Sequence, residues 1–146
     1  MRAKEIVYPV LCFSQGVIYI AVNEEALTTC NANAIKKGWF KKMVIVAPDG
    51  MKYTVSDARK IHGVGPFWGY NIFLNQKVKV GIDFEGKPSQ VNVYDVKKLV
   101  EKSLESWDGW VSSGSFNEIQ EKIKEAKTIK EIVDVLYSEQ CKGNSV

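Results

Sequence analysis

The sequence predicts an α+β domain: an antiparallel sheet of about five or six strands, with C-terminal helices packed on one of its faces. Two observations carry this. Residues 1–90 hold β-branched and aromatic runs broken by short Gly, Pro and Asn turns, with room for one short helix, whereas residues 91–140 hold apolar positions at helical spacing. Strands first and helices last is the order that segregates helices to one side of an antiparallel sheet.

The elements follow in order. Ile6–Phe13 and Val17–Val22 are apolar runs around Ser14-Gln15-Gly16, which predicts a hairpin. Both runs are nearly continuous in apolar residues, so they belong centrally or under cover on both faces. Asn23 can cap a helix whose first turn holds Glu24 and Glu25. Leu27, Cys30, Ala34 and Ile35 would form its inner face and Gly38 its end, although Thr28, Thr29, Asn31 and Asn33 oppose helix. Met43–Ala47 and Lys52–Val55 flank a Pro48-Asp49-Gly50 turn, and Ser56–Lys60 is read as a short helical turn. From Lys77 to Glu85 the chain alternates, with Val78, Val80, Ile82 and Phe84 against Lys77, Lys79, Asp83 and Glu85. That is a strand with one wet face, ended by Gly86-Lys87-Pro88.

The helical third begins with the stripe Val96, Leu99, Val100, Ser103, Leu104, Trp107, which Gly109 breaks. Ser115…Glu118 and Thr128…Glu131 are capping boxes thirteen residues apart, predicting two short helices with a bend near Lys127. Ile119, Ile123 and Ala126, then Ile129, Ile132, Val133 and Leu136, are their inner faces. Residues 141–146 read as a frayed tail. The 146 residues fit one domain, 1–146, large enough to fold around its own core.

Charge and cysteines narrow the function classes. The net charge of +3 is unevenly placed: residues 1–60 carry nine Lys/Arg against five Asp/Glu, and residues 91–146 carry eight against ten. That balance does not demand a nucleic-acid partner. Cys12, Cys30 and Cys141 are widely spaced and form no CxxC pair, which reads as buried, reduced thiols in a cytoplasmic protein. No apolar run is long enough to span a membrane. The basic start runs into Tyr8, Pro9, Ser14 and Gln15 with no A-x-A-like site, so no signal peptide is read. No cluster has metal-ligand spacing and no cofactor motif is found; Gly63-Val64-Gly65 is too short to be a phosphate fingerprint.

Three aromatic segments remain. Residues 63–73, GVGPFWGYNIF, hold four aromatics and three glycines. They either plug the core, with Trp68 at its rim, or preform a recognition surface in which Phe67, Trp68 and Tyr70 bury large area at small entropic cost. KKGWFKK, with Lys36, Lys37, Trp39, Phe40, Lys41 and Lys42, can hold single-stranded nucleic acid by ring stacking and phosphate contact, or be a helix end with both rings buried. In WDGW, Trp107 sits on the apolar helical face and Trp110 lies past the break, a further partner-facing candidate. An enzyme would need His62, the one histidine, beside a cysteine, or the carboxylates Asp83 and Glu85 acting together; alternation with lysines favours a solvated face for the latter.

YPVLCFSQGVIYIAVNEEALTTC, GPFWGYNIF and WDGW together resemble a group of small bacterial proteins that are similar to immunity proteins of polymorphic and contact-dependent toxin systems. The resemblance implies a non-catalytic cytosolic domain that binds a cognate toxin domain and silences it. The resemblance carries over no functional residue; aromatic density on Gly-rich segments is what makes Phe67, Trp68 and Tyr70 the candidate partner contacts, with Trp110 and Trp39 as further anchors. Immunity proteins against nucleases tend to be acidic. At +3, this chain would face a toxin other than a basic nuclease, or make its contact through the acidic helical third. The alternatives are a nucleic-acid module built on Lys36–Lys42 and an enzyme using His62 and a cysteine.

Overall fold

A computed structural model describes residues 5–31, 34–35, 37–63, 77–106 and 116–143. The chain is an α+β domain with a curled antiparallel sheet and helices on one face. β1 (Val10–Ser14) and β2 (Val17–Ala21) form the predicted hairpin. Its loop is one residue shorter than expected, because Ser14 pairs with Val17. Gln15 (φ 49°) and Gly16 (φ 79°) both take left-handed backbone, as a two-residue hairpin turn requires. The paired strand starts at Val10, not Ile6. Pro9 precedes it, joined to Tyr8 by a cis peptide, and has no amide to give the ladder.

The predicted helix after Asn23 is cut short. Asn23 caps α1 (Glu24–Thr28), its side chain accepting from the Ala26 amide at 2.8 Å. The chain turns extended at Thr29 and forms β3 (Thr29–Asn31) against a later strand. The β-branched pair Thr28-Thr29 wins here: the Thr28 hydroxyl bonds the Glu24 carbonyl (2.8 Å), and pairing then supplies the backbone partners that helix would have given.

β4 (Val44–Val46) and β5 (Met51–Gly63) flank the predicted Pro48-Asp49-Gly50 turn, closed by Ala47 N–H to Met51 O at 2.9 Å. Ser56–Lys60 is strand rather than helical turn. Asp57, Ala58, Arg59 and Lys60 pair with Asp83, Ile82, Gly81 and Val80 of β6 (Lys77–Phe84), and register shifts at Val55/Asp57 and Lys60/His62 bend the long strand. Its polar residues face solvent while Ala58 turns inward. β7 (Ser89–Gln90) pairs with the start of β5, so β6 and β7 run along one side of that strand, interrupted at 85–88.

The strand order is β2-β1-β4-β5-β6-β3, and it forces the curl. Six flat strands span about 24 Å at their usual ~4.8 Å spacing. β2 and β3 are the two ends of that order, yet only Val22, Asn23 and the five-residue α1 join them. Two extended residues and a five-residue helix reach about 15 Å. The sheet must bend until its ends approach.

Two cores result. Val10, Cys12, Ala21, Ile45, Tyr53, Val55, Val78 and Val80 fill the inside of the curl with Leu27, Phe40 and Met43. On the outer face, Leu11, Phe13, Ile18, Ile20 and Val46 meet α2 (Val93–Ser106), α3 (Phe116–Glu125) and α4 (Ile129–Gly143) through Val96, Val100, Leu104, Ile119, Ile123, Ile132 and Leu136. Residues of β1 and β2 therefore go alternately to different cores, and both strands are covered on both sides as their apolar runs predict.

α2 opens with a reciprocal cap that was not anticipated: Asp95 N–H donates to Asn92 Oδ1 (2.9 Å), and Asn92 N–H to Asp95 Oδ2 (3.4 Å). At α4 the Glu131 amide donates to Thr128 Oγ1 (3.1 Å), while Glu131 Oε2 reaches back one residue further than expected, to the Lys127 amide (2.9 Å). The bend at Lys127 is where predicted. Helix continues to Gly143, taking in the first three residues of the predicted frayed tail. Ser115, Trp107 and Gly109 lie outside the described residues.

Two stability predictions arise here. Gly50 has φ +89°, and a Cβ added there would sit 3.1 Å from the Val91 carbonyl and against the Gln90 amide. Gly50→Ala should cost about 1–2 kcal/mol for the left-handed backbone alone, more with the clash, read as a lower urea midpoint. Thr128→Ala removes one cap and should cost about 1 kcal/mol in the same measurement.

Candidate functional site

The site is built around Trp39. Ala34, Ile35 and residues 37–43 are tied by successive tight turns, with Gly38 N–H to Ile35 O, Trp39 N–H to Ala34 O and Lys41 N–H to Gly38 O, each at 3.0 Å. Gly38 (φ +72°) supplies the left-handed residue. The β1–β2 hairpin holds this turn in place: Gln15 Nε2 donates to the Lys37 carbonyl at 3.0 Å, and the Ser14 hydroxyl donates to the Trp39 carbonyl. The Trp39 ring thereby lies stacked on Tyr19 of β2, centroids 5.9 Å apart and planes 29° apart. Tyr19 in turn points its hydroxyl at Met43 Sδ, 3.8 Å away. Burial pushes that phenol's pKa up, and nearby Cys12 adds to the shift.

Beside this stack lies an apolar groove of about 210 Å³, open to solvent. Tyr19, Trp39 and Phe40 contribute from one side of the curl, and Ala26, Leu27 and Cys30 from the other. It lies between the elements that end the strand order, where the curl leaves β2 and β3 unjoined.

The predicted basic–aromatic segment is divided by this arrangement. Trp39 is half-buried in the groove wall, whereas Phe40 is 2% exposed and belongs to the inner core. Lys42 pairs with Glu85 at 2.9 Å. Lys37 and Lys41 are exposed, and neither has a carboxylate partner among the described residues. Lys36 lies outside the described residues, as do Phe67, Trp68, Tyr70 and Trp110.

The candidate catalytic groups are dispersed. Cys12 is fully buried, and burial pushes its thiol up to about 12, against smaller opposing effects of hydrogen bonds from Tyr19 and the Ala21 backbone. Cys30 is half-buried in the groove wall, and burial raises its pKa too. A protonated thiol is a poor nucleophile. His62 is opposite Lys79, and Lys79 opposite Thr29, so His62 lies two strands from β3, about 10 Å by strand spacing. The side chains of His62 and Cys141 are outside the described set. Asp83 and Glu85 do not act as a pair: Asp83 takes Arg59 at 2.6 Å and Glu85 takes Lys42. Both ion pairs are exposed, which is the solvated face that alternation with lysines favoured. Among the described residues no three His, Cys, Asp or Glu side chains cluster to hold a metal, and no helix is long and apolar enough to cross a membrane.

No protein-family model, curated protein or solved structure matches the chain.

Of the groove residues, sequence reasoning singled out Trp39 and Phe40 as contact candidates, and Cys30 as one of three cysteines that an enzyme could use. Tyr19 reads as one more position in an apolar strand, and Cys30 as a helix face. The groove exists because the sheet curls, and the local signal for that curl was the Thr28-Thr29 pair that ends α1 so soon.

Proposed function

We propose that this protein is a non-catalytic protein-binding domain, most specifically an immunity protein that neutralises a cognate bacterial toxin by occluding its working surface. The observation that carries the reading is the Trp39–Tyr19 stack, held at the wall of an open apolar groove by three backbone turns and two side-chain hydrogen bonds. Rigid aromatics beside a concavity are the usual anchors of a protein interface. The raised thiols of Cys12 and Cys30 weigh against the cysteine enzyme. Phe67, Trp68, Tyr70 and Trp110 remain candidate contacts from sequence.

The test is co-expression with a toxin domain encoded beside this gene. Restored growth and co-purification of an equimolar complex are expected, with an interface on the order of 800 Å² per partner. Trp68→Ala and Tyr70→Ala should each weaken capture by about 2 kcal/mol, roughly 30-fold, if they are hot spots. A wild-type protein that neither protects nor co-purifies sinks the reading.

A second reading, single-stranded nucleic-acid binding, is favoured by the exposed Lys37 and Lys41 beside Trp39. It predicts affinity falling steeply with salt. With Phe40 buried and Lys42 ion-paired, it retains one ring and two free cations of the described segment.

A further inference from the structure

We propose that the groove between α1 and the Trp39 turn takes an apolar side chain from an acidic segment of the partner protein; this rests on the protein-binding reading and names the chemistry of its contact. The apolar part follows from the lining: Tyr19, Trp39, Ala26 and Leu27 offer ring and aliphatic surface, and the space suits one large side chain rather than a helix.

The acidic part follows from charge. The turn that delivers Trp39 carries Lys37 and Lys41, exposed and without carboxylate partners among the described residues. On the other side, Lys79 of β6 brings its ammonium to the Thr28 hydroxyl at the end of α1, and Lys79 is opposite Thr29, itself part of the groove wall. Two anions adjoin them. Glu24 lies toward Tyr8, whose hydroxyl pKa is raised by burial first and then by that carboxylate. Tyr8 is not part of the groove lining, so of the two α1 carboxylates it is exposed Glu25 that is left to oppose the ammonium groups of Lys37 and Lys41 and, beyond Thr28, that of Lys79. A segment with carboxylates flanking a ring or branched aliphatic chain complements this arrangement. A basic segment would meet like charge on both sides.

The experiment uses the full chain, ¹⁵N-labelled, titrated at low salt with the peptide acetyl-Asp-Asp-Phe-Asp-Asp-amide. Controls replace Phe by Gly or each Asp by Lys. Saturable shifts of the Trp39 indole and the Ala26 and Leu27 amides are expected with the acidic Phe peptide alone, weakening about tenfold at high salt. Ala26 is exposed, so Ala26→Trp should fill the groove without disturbing the core and abolish the shifts. Lys37→Glu with Lys41→Glu should transfer preference to the Lys peptide. No shifts with the acidic Phe peptide, equal shifts with the Gly or Lys peptide, or concentration-dependent shifts without peptide would each overturn the proposal. So would a thymidine oligonucleotide that competes at these resonances with higher affinity. If the wild type captures its toxin domain and Ala26→Trp captures it equally well, the groove is not the contact and the protein-binding reading stands. If the peptide binds as described but no toxin domain is captured, the groove chemistry stands and the immunity reading falls.

Discussion

Replacing Leu11 by Ala is expected to lower the stability by about 2–5 kcal/mol, the cost of deleting a fully buried leucine and leaving part of its volume empty. Leu11 is 0% exposed and sits on β1 between Ile20 and Val46, on the face where the sheet meets the helices. Its neighbours are β-branched side chains on paired strands, locked in χ1 and tied by the ladder, so they have little freedom to collapse into the gap. A domain this size has about 5–15 kcal/mol in total, so the loss is a large share of it. Thermal melting followed by circular dichroism should show a midpoint lowered by about 4–20 °C, at roughly 2–4 °C per kcal/mol. Val7→Ala is the control: Val7 is 48% exposed, and its truncation should stay within about 0.5 kcal/mol. Equal effects of the two substitutions would mean that β1 is not covered from the helix side.

Leu11 also shows what the sequence disclosed. Val10-Leu11-Cys12-Phe13 has no wet position, and a strand with no wet position is covered twice. That predicted the cover without saying what supplies it. The C-terminal helices were legible from period and caps, because Ile119, Ile123, Ile132 and Leu136 repeat on one face and Thr128…Glu131 marks a start. Local chemistry was enough there. It failed where partners are distant. Ser56-Asp57-Ala58-Arg59-Lys60 has little strand propensity, and what makes it strand is β6, some twenty residues away. Thr29-Cys30-Asn31 likewise becomes β3 through pairing with Lys77–Lys79. The groove needed both of these long-range events, so no single segment announced it. Trp39 was marked by its composition, but its partner Tyr19 is twenty residues earlier and was indistinguishable from core.

Raising the pH from 9 toward 12 should destabilise the protein steeply, and Cys12 should be the first cause. Its thiol is pushed from 9.0 up to about 12 inside the curl, chiefly by desolvation. The folded pKa lies above the unfolded one, so the native state holds its proton when the unfolded chain has released it. The stabilising contribution is complete below pH 9 and is lost as pH rises through the folded value, at about 1 kcal/mol per pH unit within that window. Tyr8, raised from 10.0 to about 12 by burial and by Glu24, adds to the loss only above pH 10. The interval between pH 9 and 10 therefore belongs to the two raised thiols, fully buried Cys12 and half-buried Cys30. Urea midpoints should fall across it in the wild type, less steeply in Cys12→Ala, and stay nearly flat in Cys12→Ala with Cys30→Ala; equal slopes in wild type and Cys12→Ala would refute the assignment. The same physics bears on function. A thiol that keeps its proton well past neutral pH, sealed between β2 and β4, offers no thiolate for catalysis. Iodoacetamide at pH 8 should accordingly modify Cys30, half-buried at the groove, well before Cys12, and filling the groove with Ala26→Trp should slow that reaction.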